Sequence, residues 1–151
     1  MEKQAVVSQP QQLRQRTKEF ALRIVTLFQA LPRSDVARTL GRQFLRSGTS
    51  VAANCRPVCR ARSKAEFMAK MGVVLEEADE TTFWLELLIE AKVVPKSRLE
   101  ALLAETNELV RIFSASRQTA LRRPLRSSRP KLNTLAVQSL NHPIAQSLNC
   151  G

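Results

Sequence analysis

Apolar residues recur every three to four positions along residues 12–118, which is the spacing typical of amphipathic helices. The first run covers residues 12–31, and Pro32 ends it because a residue before proline disfavours the helical conformation. The second run extends to about Ala61 and follows Ser34, a good N-cap residue. Pro57 lies inside this second run, so we expect a kink there.

The third run gives the strongest signal and covers about 64–92. Its apolar positions are spaced 4-3-4-3-4-3, as in the seam of a coiled coil: Phe67, Met71, Val74, Ala78, Thr81, Leu85 and Leu88. A fourth run ends near residue 118. The sequences Ser63–Glu66 and Ser97–Glu100 both read S-x-x-E, which predicts a capping box at the start of the third and fourth helices.

Four helices with short connections predict an all-α protein, an antiparallel up-down four-helix bundle. We place this domain at residues 12–118 and expect a flexible N-terminus at 1–11. Residues 119–151 carry five basic residues, three prolines and no acid, so we predict a disordered basic C-terminal tail of low order.

Small residues interrupt the apolar face of the second helix. Ser47, Gly48 and Ala52 accompany Val51 and Cys55 on that face. Glycine inside a helix costs about 1 kcal/mol relative to alanine. We therefore expect Gly48 to be offset by the close approach of another helix.

The chain is strongly basic. It contains 24 Lys and Arg residues but only 13 Asp and Glu residues, which gives a net charge of +11. Five arginines of the second helix fall within about 80° of one another on a helical wheel. We call them the arginine stripe: Arg38, Arg42, Arg46, Arg56 and Arg60. Three explanations stay open for this stripe: contact with nucleic-acid phosphates, salt bridges to acidic protein surfaces, and a plain solvated face.

The third helix has a second apolar stripe outside its seam. The net charge of this helix is negative, whereas that of the second helix is positive. Val73, Trp84 and Leu87 lie on this stripe, together with Ala69 and Ala91. One broad apolar face suffices for a bundle, so a second face containing the only tryptophan predicts an oligomer interface. A merely wide core face is the alternative.

Chemistry-bearing residues are sparse. The only histidine, His142, lies in the tail, and the three cysteines are Cys55, Cys59 and Cys150. Cys55 and Cys59, four positions apart, are interpreted as small core or boundary residues. We find no metal motif, no glycine-rich phosphate loop and no nucleophile–base pattern, so we predict neither enzyme nor cofactor. Without a signal sequence or a membrane-length apolar run, we expect a cytoplasmic protein with no membrane partner.

Two segments, "LRSGTSVAANCR" and "ARSKAEFMAKMGVVLEEADETTFWLELLIEA", carry a resemblance. The chain resembles the bacterial 23S rRNA intervening-sequence proteins, closely over residues 20–94 and more loosely in the fourth helix. The matching positions include Arg46, Asn54, Glu77, Glu80 and Trp84. Members usually have Glu where this chain has Pro57, and they tend to end near the fourth helix.

The resemblance implies a four-helix bundle, a pentamer and binding of RNA or DNA. This family is similar to the accessory variability determinant of diversity-generating retroelements, a basic homopentamer that binds nucleic acid and associates with a reverse transcriptase. Our first hypothesis is therefore a homo-oligomer that binds nucleic acid nonspecifically through the arginine stripe. The rival hypothesis is a protein-interaction or adaptor module, for example one accessory to a polymerase or reverse transcriptase.

Overall fold

The computed structural model describes residues 8–122, which form four helices and no strand within that range. Helix α1 comprises Gln9–Gln29, α2 Asp35–Val58, α3 Lys64–Glu90 and α4 Lys96–Arg122. The predicted four-helix bundle is confirmed.

The connections are short, so consecutive helices pack side by side and run in alternating directions. The main packing contacts lie between α1 and α2, α2 and α3, and α3 and α4. Helices α1 and α4 are also neighbours and close the bundle, but their backbones come close together at far fewer positions. A side-chain ion pair between Arg16 and Glu105 spans that last boundary.

The core follows the predicted seam of α3. All seven seam residues are buried: Phe67, Met71, Val74, Ala78, Thr81, Leu85 and Leu88. They pack against large side chains from the other three helices, among them Phe20, Phe44 and Phe113. The 4-3 spacing therefore identified the face of α3 that enters the core.

The helix starts agree with the sequence in part. Ser34 Oγ accepts a hydrogen bond from the Ala37 N–H at 3.1 Å, and Ser63 Oγ accepts one from the Glu66 N–H at 3.1 Å. Glu66 completes the cap by accepting from the N–H of Arg62, one residue earlier than in a standard capping box. The capping box predicted at Ser97–Glu100 is wrong, since α4 begins at Lys96 and already includes Ser97.

Several helix ends differ from the sequence-based bounds by two to four residues, and α1 and α3 each end two residues early, at Gln29 and Glu90. Helix α1 begins at Gln9, three residues earlier than expected, and α4 continues to Arg122. Helix α2 ends at Val58, so Pro57 lies in its last turn rather than at an internal kink. A proline supplies no backbone N–H, and the helix ends one residue beyond it. The tail beyond Arg122 lies outside the described residues.

The small residues of α2 allow α1 to approach closely, as expected. A Cβ atom built on Gly48 would lie 2.8 Å from side-chain carbons of Ile24. Ser47, Val51 and Cys55 are buried beside it. Close helix packing thus offsets the cost of glycine within α2.

None of the helices in residues 8–122 combines the length and the apolar character needed to cross a membrane.

Candidate functional site

All five positions of the arginine stripe are exposed, but they differ in their partners. Arg38 Nη1 lies 3.7 Å from Asp35 Oδ1, a pair whose members are both well exposed and which contributes little. Arg42, Arg56 and Arg60 form no ion pair with any residue in 8–122. Arg60 lies two residues beyond the end of α2, so the stripe continues past the helix.

Arg46 belongs to a polar cluster between α2 and α3. Its Nη2 donates to Glu80 Oε1 at 3.0 Å, and the same oxygen accepts from Trp84 Nε1 at 3.0 Å. Glu77 lies nearby, where burial and then the charge of Glu80 raise the pKa of its carboxyl, partly opposed by Arg46. Arg46 therefore joins α2 to α3 through a largely exposed ion pair, so one member of the stripe has a partner on another helix.

An open groove runs between α1 and α2 on the side of the stripe away from α3. It has a volume of about 690 Å³. We call it the basic groove, and its lining residues are Gln11, Arg14, Gln15, Lys18, Ala52, Ala53 and Arg56. Three of these side chains are cationic and none is a carboxylate. The α2 side of the lining consists of the two alanines and Arg56.

Sequence reasoning missed the contribution of α1 to this groove. Arg14 and Lys18 are four positions apart and therefore share one face of α1. That spacing was visible in the sequence, but the packing of this face beside Arg56 depends on how α1 docks on α2. The structure thus joins Arg56 of the stripe to two cations of α1 and leaves Arg46 on the α3 side.

The second stripe of α3 is only partly open. Val73 is 42% exposed, whereas Trp84 and Leu87 are half-buried, and Trp84 packs on the core. Phe83, which the sequence analysis did not select, is 53% exposed and meets Trp84 edge to face with ring centroids 4.9 Å apart. The side chains of Phe83 and Val73 are therefore exposed to solvent on this helix.

Two thiols, Cys55 in α2 and Cys59 just past its end, lie close enough to Arg14 of the basic groove for its charge to act on both. Cys55 is buried and Cys59 half-buried, and both are free, which agrees with the core or boundary role expected for them. The Sγ–H of Cys59 donates to the carbonyl of Pro10 at 3.5 Å. No group of three or more potential metal-ligating side chains occurs among residues 8–122.

The sequence pattern of one protein family, described as "23S rRNA-intervening sequence protein", matches residues 9–115. That range contains the four helices up to the last turns of α4. This chain belongs to the 23S rRNA-intervening sequence protein family.

A solved structure extends the family match to the fold. A crystal structure of a protein of the S23 ribosomal protein family from Bacteroides thetaiotaomicron, described as having unknown function, is similar to this chain. The two share 33% sequence identity with a TM-score of 0.68, over 74% of this chain and 100% of the Bacteroides chain. No protein with a curated description matches the sequence.

Proposed function

We propose that this member of the 23S rRNA-intervening sequence family is a non-enzymatic, homo-oligomeric bundle that binds RNA or DNA nonspecifically. The observation that carries the proposal is the basic groove, where Arg14, Lys18 and Arg56 converge from two helices without a carboxylate among them. Guanidinium groups bind phosphate oxygens through paired hydrogen bonds, and cations that neutralise phosphates release condensed counterions.

The proposal assigns different tasks to members of the stripe. Arg42, Arg56 and Arg60 contact phosphates, since they are exposed and form no ion pair within residues 8–122. Arg38 also contacts phosphate, because its 3.7 Å pair with Asp35 is weak enough to be exchanged. Arg46 serves the contact with α3 first and reaches phosphate only at its exposed edge.

Binding is measured with labelled RNA and with duplex DNA over a salt series, using the full-length protein. Arg14→Glu combined with Arg56→Glu should lower affinity for both and flatten the dependence of log affinity on log salt, by about 0.7–0.9 for each phosphate that the variant no longer neutralises. Arg98→Glu is the control, since Arg98 is exposed near the start of α4, at the opposite end of the bundle. If the groove and control variants lose the same affinity per unit of charge changed, the assignment of binding to the groove is wrong.

Self-association through α3 is the second part of the proposal. Val73 and Phe83 are exposed, Trp84 and Leu87 are half-buried, and Glu76, Glu77 and Glu80 lie between Val73 and Phe83 along α3. From the family resemblance, we expect the oligomer to be a pentamer. Sedimentation equilibrium should show an oligomer that Val73→Glu dissociates, whereas Leu22→Glu, at an exposed leucine of α1, leaves it intact. A monomeric wild-type protein would contradict the oligomer.

The rival function is a protein-interaction or adaptor module, for example one that associates with a reverse transcriptase. The pair between Arg46 and Glu80 favours it, because one stripe arginine already binds a carboxylate. If no RNA or DNA binds at low salt, the rest of the stripe is assigned to an acidic protein partner.

A further inference from the structure

Cys59 and Cys55 have the arrangement of a reactive thiol and a resolving thiol. They lie four residues apart at the end of α2, so their side chains share one face. Cys59 is half-buried, whereas Cys55 lies behind it, 1% exposed. Redox-responsive cysteines are typically accessible thiols of low pKa with a second cysteine next to them.

The surroundings of Cys59 lower the pKa of its thiol, although its Sγ–H also donates to the Pro10 carbonyl. The thiol of Cys55 hydrogen-bonds to it and lowers the pKa of Cys59, and the charges of Arg14 and Arg60 act in the same direction against the effect of burial. The same contact and burial raise the pKa of Cys55, which therefore keeps its proton. The arrangement places a half-buried sulfur whose pKa is lowered beside a buried sulfur whose pKa is raised.

We propose that Cys59 and Cys55 form a peroxide-responsive dithiol, which hydrogen peroxide converts to a disulfide across the C-terminal end of α2. The Cys59 thiolate attacks one peroxide oxygen and the O–O bond breaks. The departing hydroxide takes up a proton and leaves as water, so that Cys59 becomes a sulfenic acid. The Cys55 sulfur then attacks the Cys59 sulfur, the S–O bond breaks, and a second water leaves with the Cys55 proton.

The bond requires the end of α2 to change its geometry. Side chains at i and i+4 have Cβ atoms about 5–6 Å apart, whereas a disulfide needs about 3.5–4.5 Å, so the turn must tighten. Pro57 contributes no N–H to that turn. Cys59 lies just past the helix, and its N–H reaches the Cys55 carbonyl at 3.2 Å. Tightening this turn displaces Arg56 and Arg60, on either side of Cys59.

Peptide mass mapping of the native full-length protein tests the site. Trypsin should release residues 47–60 as one peptide, because the Arg56–Pro57 bond resists cleavage, and both thiols lie within it. After limited hydrogen peroxide, this peptide should lose two hydrogens, faster than free glutathione is oxidised under the same conditions. Oxidation no faster than that of glutathione, or only in urea-unfolded protein, would overturn the proposal.

Variants separate the two roles. Cys55→Ser should stop the reaction at the Cys59 sulfenic acid, which dimedone traps, whereas Cys59→Ser should leave Cys55 unoxidised. Cys150→Ser is the control and should leave oxidation of the 47–60 peptide unchanged. Oxidation of Cys55 in the Cys59→Ser protein at the wild-type rate would overturn the assignment of Cys59 as the reactive thiol.

A link to the basic groove rests on the proposed function. The oxidised protein should bind RNA several-fold more weakly than the reduced protein, and reduction with dithiothreitol should restore affinity. Equal affinities would overturn this link. The mass measurement involves no nucleic acid and the groove variants are tested reduced, so failure of the dithiol and failure of nucleic-acid binding are distinguishable.

Discussion

Arg16 of α1 and Glu105 of α4 form a bidentate ion pair. It joins the two neighbouring helices whose backbones come close together at the fewest positions. Nε of Arg16 lies 2.6 Å from Oε1 and Nη2 lies 2.9 Å from Oε2 of Glu105. The two side chains are only 13% and 8% exposed. Paired donors match both carboxylate oxygens, so this contact fixes the spacing as well as the orientation of α1 on α4.

Breaking this pair should destabilise the protein strongly. Glu105→Ala leaves a guanidinium largely buried without its partner, and we expect a loss of about 3 kcal/mol in the free energy of unfolding, measured by urea denaturation. Glu100→Ala is the matched control, since Glu100 meets Lys96 at 4.0 Å on the surface of the same helix, and it should cost less than about 1 kcal/mol. Similar losses in the two variants would contradict a structural role for the buried pair.

Two glycines should respond oppositely to alanine. At Gly48 the added Cβ would lie 2.8 Å from Ile24, so Gly48→Ala should destabilise by about 1–3 kcal/mol despite the better helix propensity. At Gly72 of α3 the Cβ meets nothing within 4 Å, so Gly72→Ala should stabilise by about 1 kcal/mol. Thermal and urea unfolding of both variants check this. A gain at Gly48 would mean that α1 moves away easily.

The sequence predicted those parts of the fold that depend on local spacing. The seam of α3 and the caps at Ser34 and Ser63 follow from residues within a few positions of one another, and the structure confirms them. Ser97 failed as a cap because Pro95 and Lys96 start α4 earlier than the motif alone indicates. Competing start signals one or two residues apart are not resolved by a short motif.

The candidate site was predictable only on one helix. Arg56 was visible as a member of a stripe with a five-turn repeat, but its neighbours Arg14 and Lys18 come from α1. Likewise, Arg16 and Glu105 are separated by 89 positions, and no periodicity links them. Such pairings depend on the rotation of each helix about its own axis, which the packing of the whole core decides.

Glu77 should make stability depend on pH in the direction opposite to most carboxylates. Burial and Glu80 raise the pKa of its carboxyl, and its Oε2 is buried without a hydrogen-bond partner in residues 8–122. A raised folded-state pKa contributes stability below the unfolded pKa, and this stability is lost as pH rises through the folded pKa. Glu77→Gln should therefore stabilise at neutral pH by less than about 1 kcal/mol, since solvent screens the partly exposed group.

The gain from Glu77→Gln should shrink as pH falls and vanish below the unfolded pKa. Urea unfolding between neutral and acid pH measures it. Glu86→Gln removes the same charge from an exposed position of α3 and is the control. A neutral-pH loss for Glu77→Gln that is not seen for Glu86→Gln would instead make attraction to Arg46 the larger effect.

Lys92, just past α3, adopts a left-handed conformation with φ of 55°. It completes a Schellman turn, in which its N–H donates to the Ile89 carbonyl at 2.9 Å and the Val93 N–H donates to the Leu88 carbonyl at 3.0 Å. Glycine adopts this conformation without the steric cost of a Cβ atom. Lys92→Gly should therefore raise the free energy of unfolding by about 1 kcal/mol, a little less if the unfolded chain gains entropy.

Lys92→Ala separates the backbone effect from the loss of the lysine charge. It removes the same exposed side chain but keeps the Cβ atom, so it should bring no gain in stability. Urea unfolding of the two variants beside the wild-type protein gives the comparison. If alanine stabilises as much as glycine, the gain comes from removing a positive charge and not from the left-handed backbone. If neither stabilises, the hydrogen bonds of the turn already offset the strain at this residue.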